Sequence, residues 1–124
     1  MNLVDSCGWL EYFADGPNAG FFARPIEDTG NLLVPTLCLF EVFKRVSQQR
    51  GEAEALQAVA NMQQGRVVEL DTNIAMTAAR VSLEHKLPMA DSVIAATAHV
   101  HDAVVWTQDA DFQDLDGVRY KAKA

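Results

Sequence analysis

The chain has 124 residues, a formal net charge of -7, and a composition that is 49% hydrophobic and 22% charged. That length gives room for one compact domain over residues 1–124, and the composition excludes disordered and collagen-like chains. Seventeen acidic residues against ten Lys and Arg argue against holding a polyanion by bulk positive charge, but net charge leaves open where the carboxylates sit.

No apolar run reaches the roughly 18 to 20 residues that span a bilayer. The start, Met1-Asn2-Leu3-Val4-Asp5, has no basic region leading into an apolar core, so the expected address is cytoplasmic, with no membrane partner. Cys7 and Cys38 are too few for a disulfide scaffold and read as reduced, half-buried residues.

Taken in chain order, Leu3-Val4 reads as a buried strand running through Asp5-Ser6 into a short helix over Cys7–Phe13. A turn at Asp15-Gly16-Pro17 precedes a helix from about Asn18 to Asp28, and Thr29-Gly30-Asn31 breaks the chain. Leu32–Val34 is a second buried strand, stopped by Pro35, and Thr36 is expected to cap a helix that runs to about Gln49. Gly51 separates this helix from another over Glu52–Gln64, and Gly65 ends it. Arg66–Leu70 reads as the third strand, with Asp71 and Thr72 capping a helix that ends near His85-Lys86. Pro88 sits in the first turn of a helix reaching about His101. Ala103–Trp106 is the fourth strand, Thr107–Phe112 a turn with a short helical segment, Gly117–Tyr120 a candidate fifth strand, and Lys121–Ala124 a frayed tail. Short buried strands alternating with helices imply an α/β sandwich around a mostly parallel sheet of four to five strands.

In such sheets the binding crevice lies beyond the C-terminal strand ends. The side chains expected there are acids: Asp5 after the first strand, Asp109 and Asp111 after the fourth, and Asp91 at the start of a helix opening on the same side. Glu41 lies farther away, about five residues or 7 Å down its helix from Thr36, yet a helical side chain leans back toward the N-terminus and a glutamate has the reach. Carboxylates crowded in one crevice repel unless cations neutralise them. An oxygen-only donor set, without His or Cys, points to Mg²⁺ or Mn²⁺, whose chemistry suits phosphodiester hydrolysis. Each acid also has an ordinary structural role open to it: Asp5 as a helix cap, Asp91 at a positive helix N-terminus, Glu41 paired with Arg45 along one helix face.

Four segments together resemble the PIN-domain family, in particular the VapC-type toxins of bacterial toxin–antitoxin pairs. They are Leu3-Val4-Asp5-Ser6-Cys7-Gly8-Trp9-Leu10-Glu11-Tyr12, Pro35-Thr36-Leu37-Cys38-Leu39-Phe40-Glu41-Val42, Leu87-Pro88-Met89-Ala90-Asp91-Ser92-Val93-Ile94-Ala95-Ala96-Thr97-Ala98, and Trp106-Thr107-Gln108-Asp109-Ala110-Asp111-Phe112. The resemblance implies a three-layer α/β/α sandwich, Mg²⁺- or Mn²⁺-dependent endoribonuclease activity, homodimerisation, and inhibition by an antitoxin protein. Carried over by position, Asp5, Glu41, Asp91 and Asp109 match the family's acids, with Asp5 and Asp91 expected as the central ligands and Glu41 and Asp109 completing the shell directly or through waters; either Asp109, Asp111 or both complete the metal site. Thr107 matches a polar residue that borders the metal pocket, and Ser6 is a similar, weaker case. The expected reaction is in-line attack of an activated water on an RNA phosphorus, leaving a 5′-phosphate and a 3′-hydroxyl.

Lys44, Arg45 and Arg50, which follow Glu41 along its helix, are candidates to hold the RNA backbone, against a reading as solvated helix surface. His99 and His101 point to different helix faces and are not read as a metal pair. Phe13, Phe21, Phe22, Phe40 and Phe43 offer more aromatic surface than a small sheet needs, some of it for a partner. Three alternatives stand beside the toxin: a PIN nuclease of RNA processing, a non-catalytic metal- or RNA-binding module, and a receiver-like signalling module. The last lacks an acidic pair at the first strand and a Lys after the fifth outside the tail.

Overall fold

The computed structural model describes all 124 residues. Asn2–Val4 (β1), Leu32–Pro35 (β2), Arg66–Val68 (β3), Val104–Thr107 (β4) and Val118–Tyr120 (β5) form one sheet in the order β3-β2-β1-β4-β5. Every pair is parallel, with Leu3 opposite Leu33 on one side and Val105 on the other. The connections are α1 (Ser6–Phe13), α2 (Ala19–Glu27), α3 (Thr36–Arg50), α4 (Glu52–Met62), α5 (Thr72–His85) and α6 (Met89–Val100).

The period of two in a strand sends alternate residues to opposite faces. Leu32 and Val34 accordingly enter the larger core, with Trp9, Phe22, Cys38, Val42 and Met62, while Leu33 packs with Ile74, Ala78, Val93 and Ala96 of α5 and α6. Helices thus cover both faces of the sheet, as an α/β/α sandwich requires. Gly8 lets α1 lie this close: a Cβ there would fall 2.5 Å from the Phe22 ring and 2.7 Å from Val4. Gly51, with φ of 93°, makes the corner between α3 and α4 that an L side chain would strain.

Several expected boundaries move for local reasons. The third strand stops at Val68 because its partner ends opposite it at Pro35, and Leu70 is left 51% exposed. Pro35, extended at ψ 141°, takes the N-cap place expected for Thr36, which becomes the first helical residue. Pro88 likewise stands just before α6, where its carbonyl accepts from the backbone N–H and the hydroxyl of Ser92. The tail is tethered rather than wholly frayed, since Lys121 N–H donates to the Thr107 carbonyl and Asn18 Nδ2 to that of Ala122. Both cysteines are free thiols; Cys7 is half-buried as expected, but Cys38 is fully buried in the larger core. No helix is long and apolar enough to cross a membrane.

The strand order fixes where a site can form. From β1 the chain crosses to β2 and β3 on one side, then returns to β4 on the other, so the connections diverge between β1 and β4. That divergence opens a crevice at the C-terminal ends of these two strands.

Candidate active site

Asp5 and Thr107 stand at the ends of β1 and β4, on either side of this crevice. Asp5 is buried and caps α1, its Oδ1 accepting from Ser6 N–H at 2.8 Å. Its Oδ2 accepts from Thr107 Oγ1 at 2.9 Å and from Cys7 Sγ at 3.3 Å. The capping role and the place in the crevice are therefore one geometry. Burial raises the pKa of Asp5, while the bonds from Thr107, Cys7 and Ser6 oppose that rise. The Cys7 thiol is itself pushed up to about 12 by burial and by the neighbouring Asp5 charge, which keeps it a proton donor.

Thr107 extends the network toward the next acid. Its hydroxyl accepts from Asp109 N–H at 2.9 Å, and Asp109 Oδ1 in turn accepts from Asp111 N–H at 2.9 Å, starting a short 3₁₀ turn over Ala110–Phe112. This turn aims Asp109 and Asp111 at Asp91, which lies in the first turn of α6. One carboxylate oxygen from each of the three residues falls within 4.8 Å of the others. Burial, then the charges of Asp109, Asp5, Asp111 and Glu41, push Asp91 up to about 7. Glu41 enters from the second turn of α3, where Oε1 accepts from Ser6 Oγ at 2.7 Å.

The five expected acids thus form two sets at the same strand ends. Asp5 and Glu41 are joined to α1 by hydrogen bonds, whereas Asp91, Asp109 and Asp111 face each other. An all-oxygen cluster of this spacing could hold a hard divalent cation. Asp109 and Asp111 both lie within the cluster, so the two are not alternatives in space.

Arg45 lies on a groove of about 600 Å³ between α1 and α3–α4, which reaches Cys7 and Gln108 at the edge of the crevice. Lys44 instead holds its Nζ 5.8 Å from the Phe40 ring centre on the outer side of α3. Arg50 also lines the groove and lies 3.6 Å from Glu54. Of the five phenylalanines singled out in the sequence, four pack on or in the core, and Phe40 alone is largely exposed.

Sequence reasoning missed two contributors. Cys7 reads as an inert small residue, yet it contacts Asp5. Asn18 reads only as a helix start, yet it is buried and its Nδ2 bonds both Gln108 Oε1, beside Asp109, and the tail. The available signal for Cys7 was its place two residues after Asp5, in the first turn of the helix that Asp5 caps.

The PIN-domain family model matches residues 3–118, the span that includes all five acids. The chain belongs to the PIN-domain family. Solved structures of toxin–antitoxin proteins share its fold across nearly their whole length. A toxin–antitoxin complex from Klebsiella pneumoniae is 19% identical, covers 100% of both chains and superposes with a TM-score of 0.84. VapC20 of Mycobacterium tuberculosis, described as a sarcin-ricin loop cleaving toxin, is 17% identical over 95% of this chain and 97% of its own, with a TM-score of 0.78. DNA-bound VapBC from Salmonella typhimurium is 17% identical over 98% of each chain, with a TM-score of 0.76. No curated protein matches by sequence.

Proposed function

We propose that this PIN domain is a Mg²⁺- or Mn²⁺-dependent endoribonuclease and the toxin of a toxin–antitoxin pair, acting in the cytoplasm as one unit over residues 1–124. The observation that carries the reading is the meeting of Asp91, Asp109 and Asp111 within 4.8 Å at the crevice between β1 and β4, beside Asp5 and Glu41. The donor set fits the cation: it is all oxygen, and burial, with the charges of the neighbouring acids added to it, already pushes Asp91 up to about 7. When bound, the ion supplies charge neutralisation, an activated water and stabilisation of the leaving oxygen.

The residues divide the work. Asp91, Asp109 and Asp111 hold the cation, with Asp5 and Glu41 completing the centre directly or through waters. Thr107 keeps Asp5 oriented and, by accepting from Asp109 N–H, sets the backbone that carries the next acid. Arg45, on the adjoining groove, offers a phosphate contact for the RNA strand, and Lys44 a more distant one. The net charge of -7 then has a different meaning, because removing Asp5, Glu41, Asp91 and Asp109 leaves -3. RNA is met chiefly through the cation, with Arg45 adding a surface contact.

The toxin assignment draws on the complexes whose fold this chain shares. An antitoxin segment would lie in the groove between α1 and α3–α4. A second copy would cover the end of the α5–α6 hairpin, where Leu83 is 84% and Met89 79% exposed.

The test is cleavage of a labelled, partly single-stranded RNA by the purified chain with Mg²⁺, with Mn²⁺ and with EDTA, alongside Asp91→Asn. Cleavage that needs the cation and fails in the variant supports the reading; cleavage undiminished by EDTA overturns it. Growth arrest on expression, relieved by Asp91→Ala, tests the toxin assignment separately.

A further inference from the structure

Glu41 is the acid worst placed by its own backbone. Asp5 and Asp91 sit at helix starts, and Asp109 and Asp111 on one tight turn, but Glu41 must cross to the crevice from the second turn of α3 on a side chain with three free torsions. One hydrogen bond holds it there: Ser6 Oγ donates to Glu41 Oε1 at 2.7 Å, leaving Oε2 uncommitted.

Ser6 is well anchored for this task. It is 7% exposed, it is the first residue of α1, and its backbone N–H donates to Asp5 Oδ1 at 2.8 Å. The same residue therefore touches two of the five acids, with its N–H on one and its hydroxyl on the other. Its hydroxyl is spent on neither a helix carbonyl nor a cap, the usual local partners of a serine near a helix start.

We propose that Ser6 is a positioning residue of the metal centre, whose hydroxyl fixes the Glu41 carboxylate at the crevice before a cation arrives. A glutamate frozen in advance loses less conformational freedom when it takes up a ligand. Hydrogen bonds of this kind behind a metal ligand are typically worth about 10- to 100-fold in metal affinity. The contact joins residues 35 apart in sequence, so it also ties α3 to the start of α1 at the site.

This inference depends on the metal-centre reading, and the experiment separates the two. Mn²⁺ is titrated calorimetrically into the full-length chain and into Ser6→Ala, Glu41→Ala, the double variant and Asp91→Asn, with thermal melting of each as a folding control. The expected result is about a tenfold weaker Mn²⁺ affinity in Ser6→Ala, with no further weakening when Ser6→Ala is added to Glu41→Ala. If Ser6→Ala binds Mn²⁺ as the parent does, the proposal is overturned. It is equally overturned if Ser6→Ala weakens binding as much in the Glu41→Ala background, because the hydroxyl then acts on something other than Glu41. Failure of the metal-centre reading looks different: the parent and Asp91→Asn would bind Mn²⁺ alike.

Discussion

Asp5 and Asp91 are both aspartates at helix starts, both reach the crevice between β1 and β4, and burial raises the pKa of each. Their surroundings differ. Asp5 receives three hydrogen bonds, from Ser6 N–H, Cys7 Sγ and Thr107 Oγ1, and these offset part of its burial. Asp91 accepts no hydrogen bond from a side chain and faces Asp109 and Asp111, so burial and repulsion act in the same direction on it. The deep half of the site is held by hydrogen bonds to side chains and backbone, whereas in the open half only Asp109 gains one, from Asp111 N–H, and no positive group lies among the three acids. Both carboxylates cost stability when ionised, but hydrogen bonds offset part of that cost for the first kind, whereas neighbouring charges add to it for the second, as is typical of a functional site.

The sharpest way to break this comparison is to neutralise the open half. In Asp91→Asn, cation-dependent RNA cleavage is expected to fall by about 10²- to 10³-fold or more. The metal-free protein should melt at a higher temperature than its parent at pH 8, because a charge that is partly buried and repelled by its neighbours has been removed. Initial cleavage rates and metal-free melting curves check the two halves of this expectation, and a lower melting temperature at pH 8 would count against repulsion in the open half.

Deleting one group from the deep half should have the opposite effect on stability. Thr107 is fully buried, and Thr107→Val removes both the donor to Asp5 and the acceptor of Asp109 N–H while keeping the shape. Leaving those buried partners unsatisfied is expected to cost about 1–3 kcal/mol, measured as the change in urea midpoint at constant slope. A neutral outcome would mean that Asp5 does not depend on this bond.

The pH dependence sharpens the same contrast. Asp91 is pushed up to about 7 from an ordinary value of 3.8, so across that window the folded chain holds a proton that the unfolded chain has already lost. The metal-free fold therefore loses stability as pH rises through the window, and the loss is complete above the folded value. The raised pKa of Asp5 acts in the same direction. Melting temperature against pH should slope downward in EDTA, and Asp91→Asn should flatten it. Mn²⁺ affinity should weaken below about pH 7, since the cation must displace that proton.

The smallest expected effect lies outside both halves. Arg45→Ala should weaken RNA binding similarly across sequences and lower its salt slope by about one. Lys44→Ala should do less, because Lys44 lies over Phe40 on the outer side of α3. Filter binding at several salt concentrations, with Ca²⁺ replacing Mg²⁺ to prevent cleavage, measures both.

Much of this was legible in the sequence because it depends on near neighbours. Pro35, Gly51, Gly65 and Pro88 punctuate the elements by removing a donor or permitting a turn, and the apolar runs between them are too short for anything but buried strands. Where a boundary was misread, a distant partner decided it: Glu69-Leu70 leave the sheet because β2 has already ended at Pro35. The aromatic residues show the same limit. Phe22 and Phe40 look equally available in sequence, yet packing against Gly8 buries one and leaves the other outside.

By itself the sequence determined that short parallel strands would alternate with helices and that aspartates would stand at their C-terminal ends. Strand length, helix caps and the direction of a helical side chain are properties of a few consecutive residues. Only the tertiary structure decided which acids are held by hydrogen bonds and which are left to repel. Thr107 meets Asp5 across 102 residues and Ser6 meets Glu41 across 35. Those meetings follow from the order β3-β2-β1-β4-β5, which brings both β4 and β2 beside β1. A carboxylate's charge and reach are written in its residue type, but its partners are set by whichever strand the folded sheet places next to it.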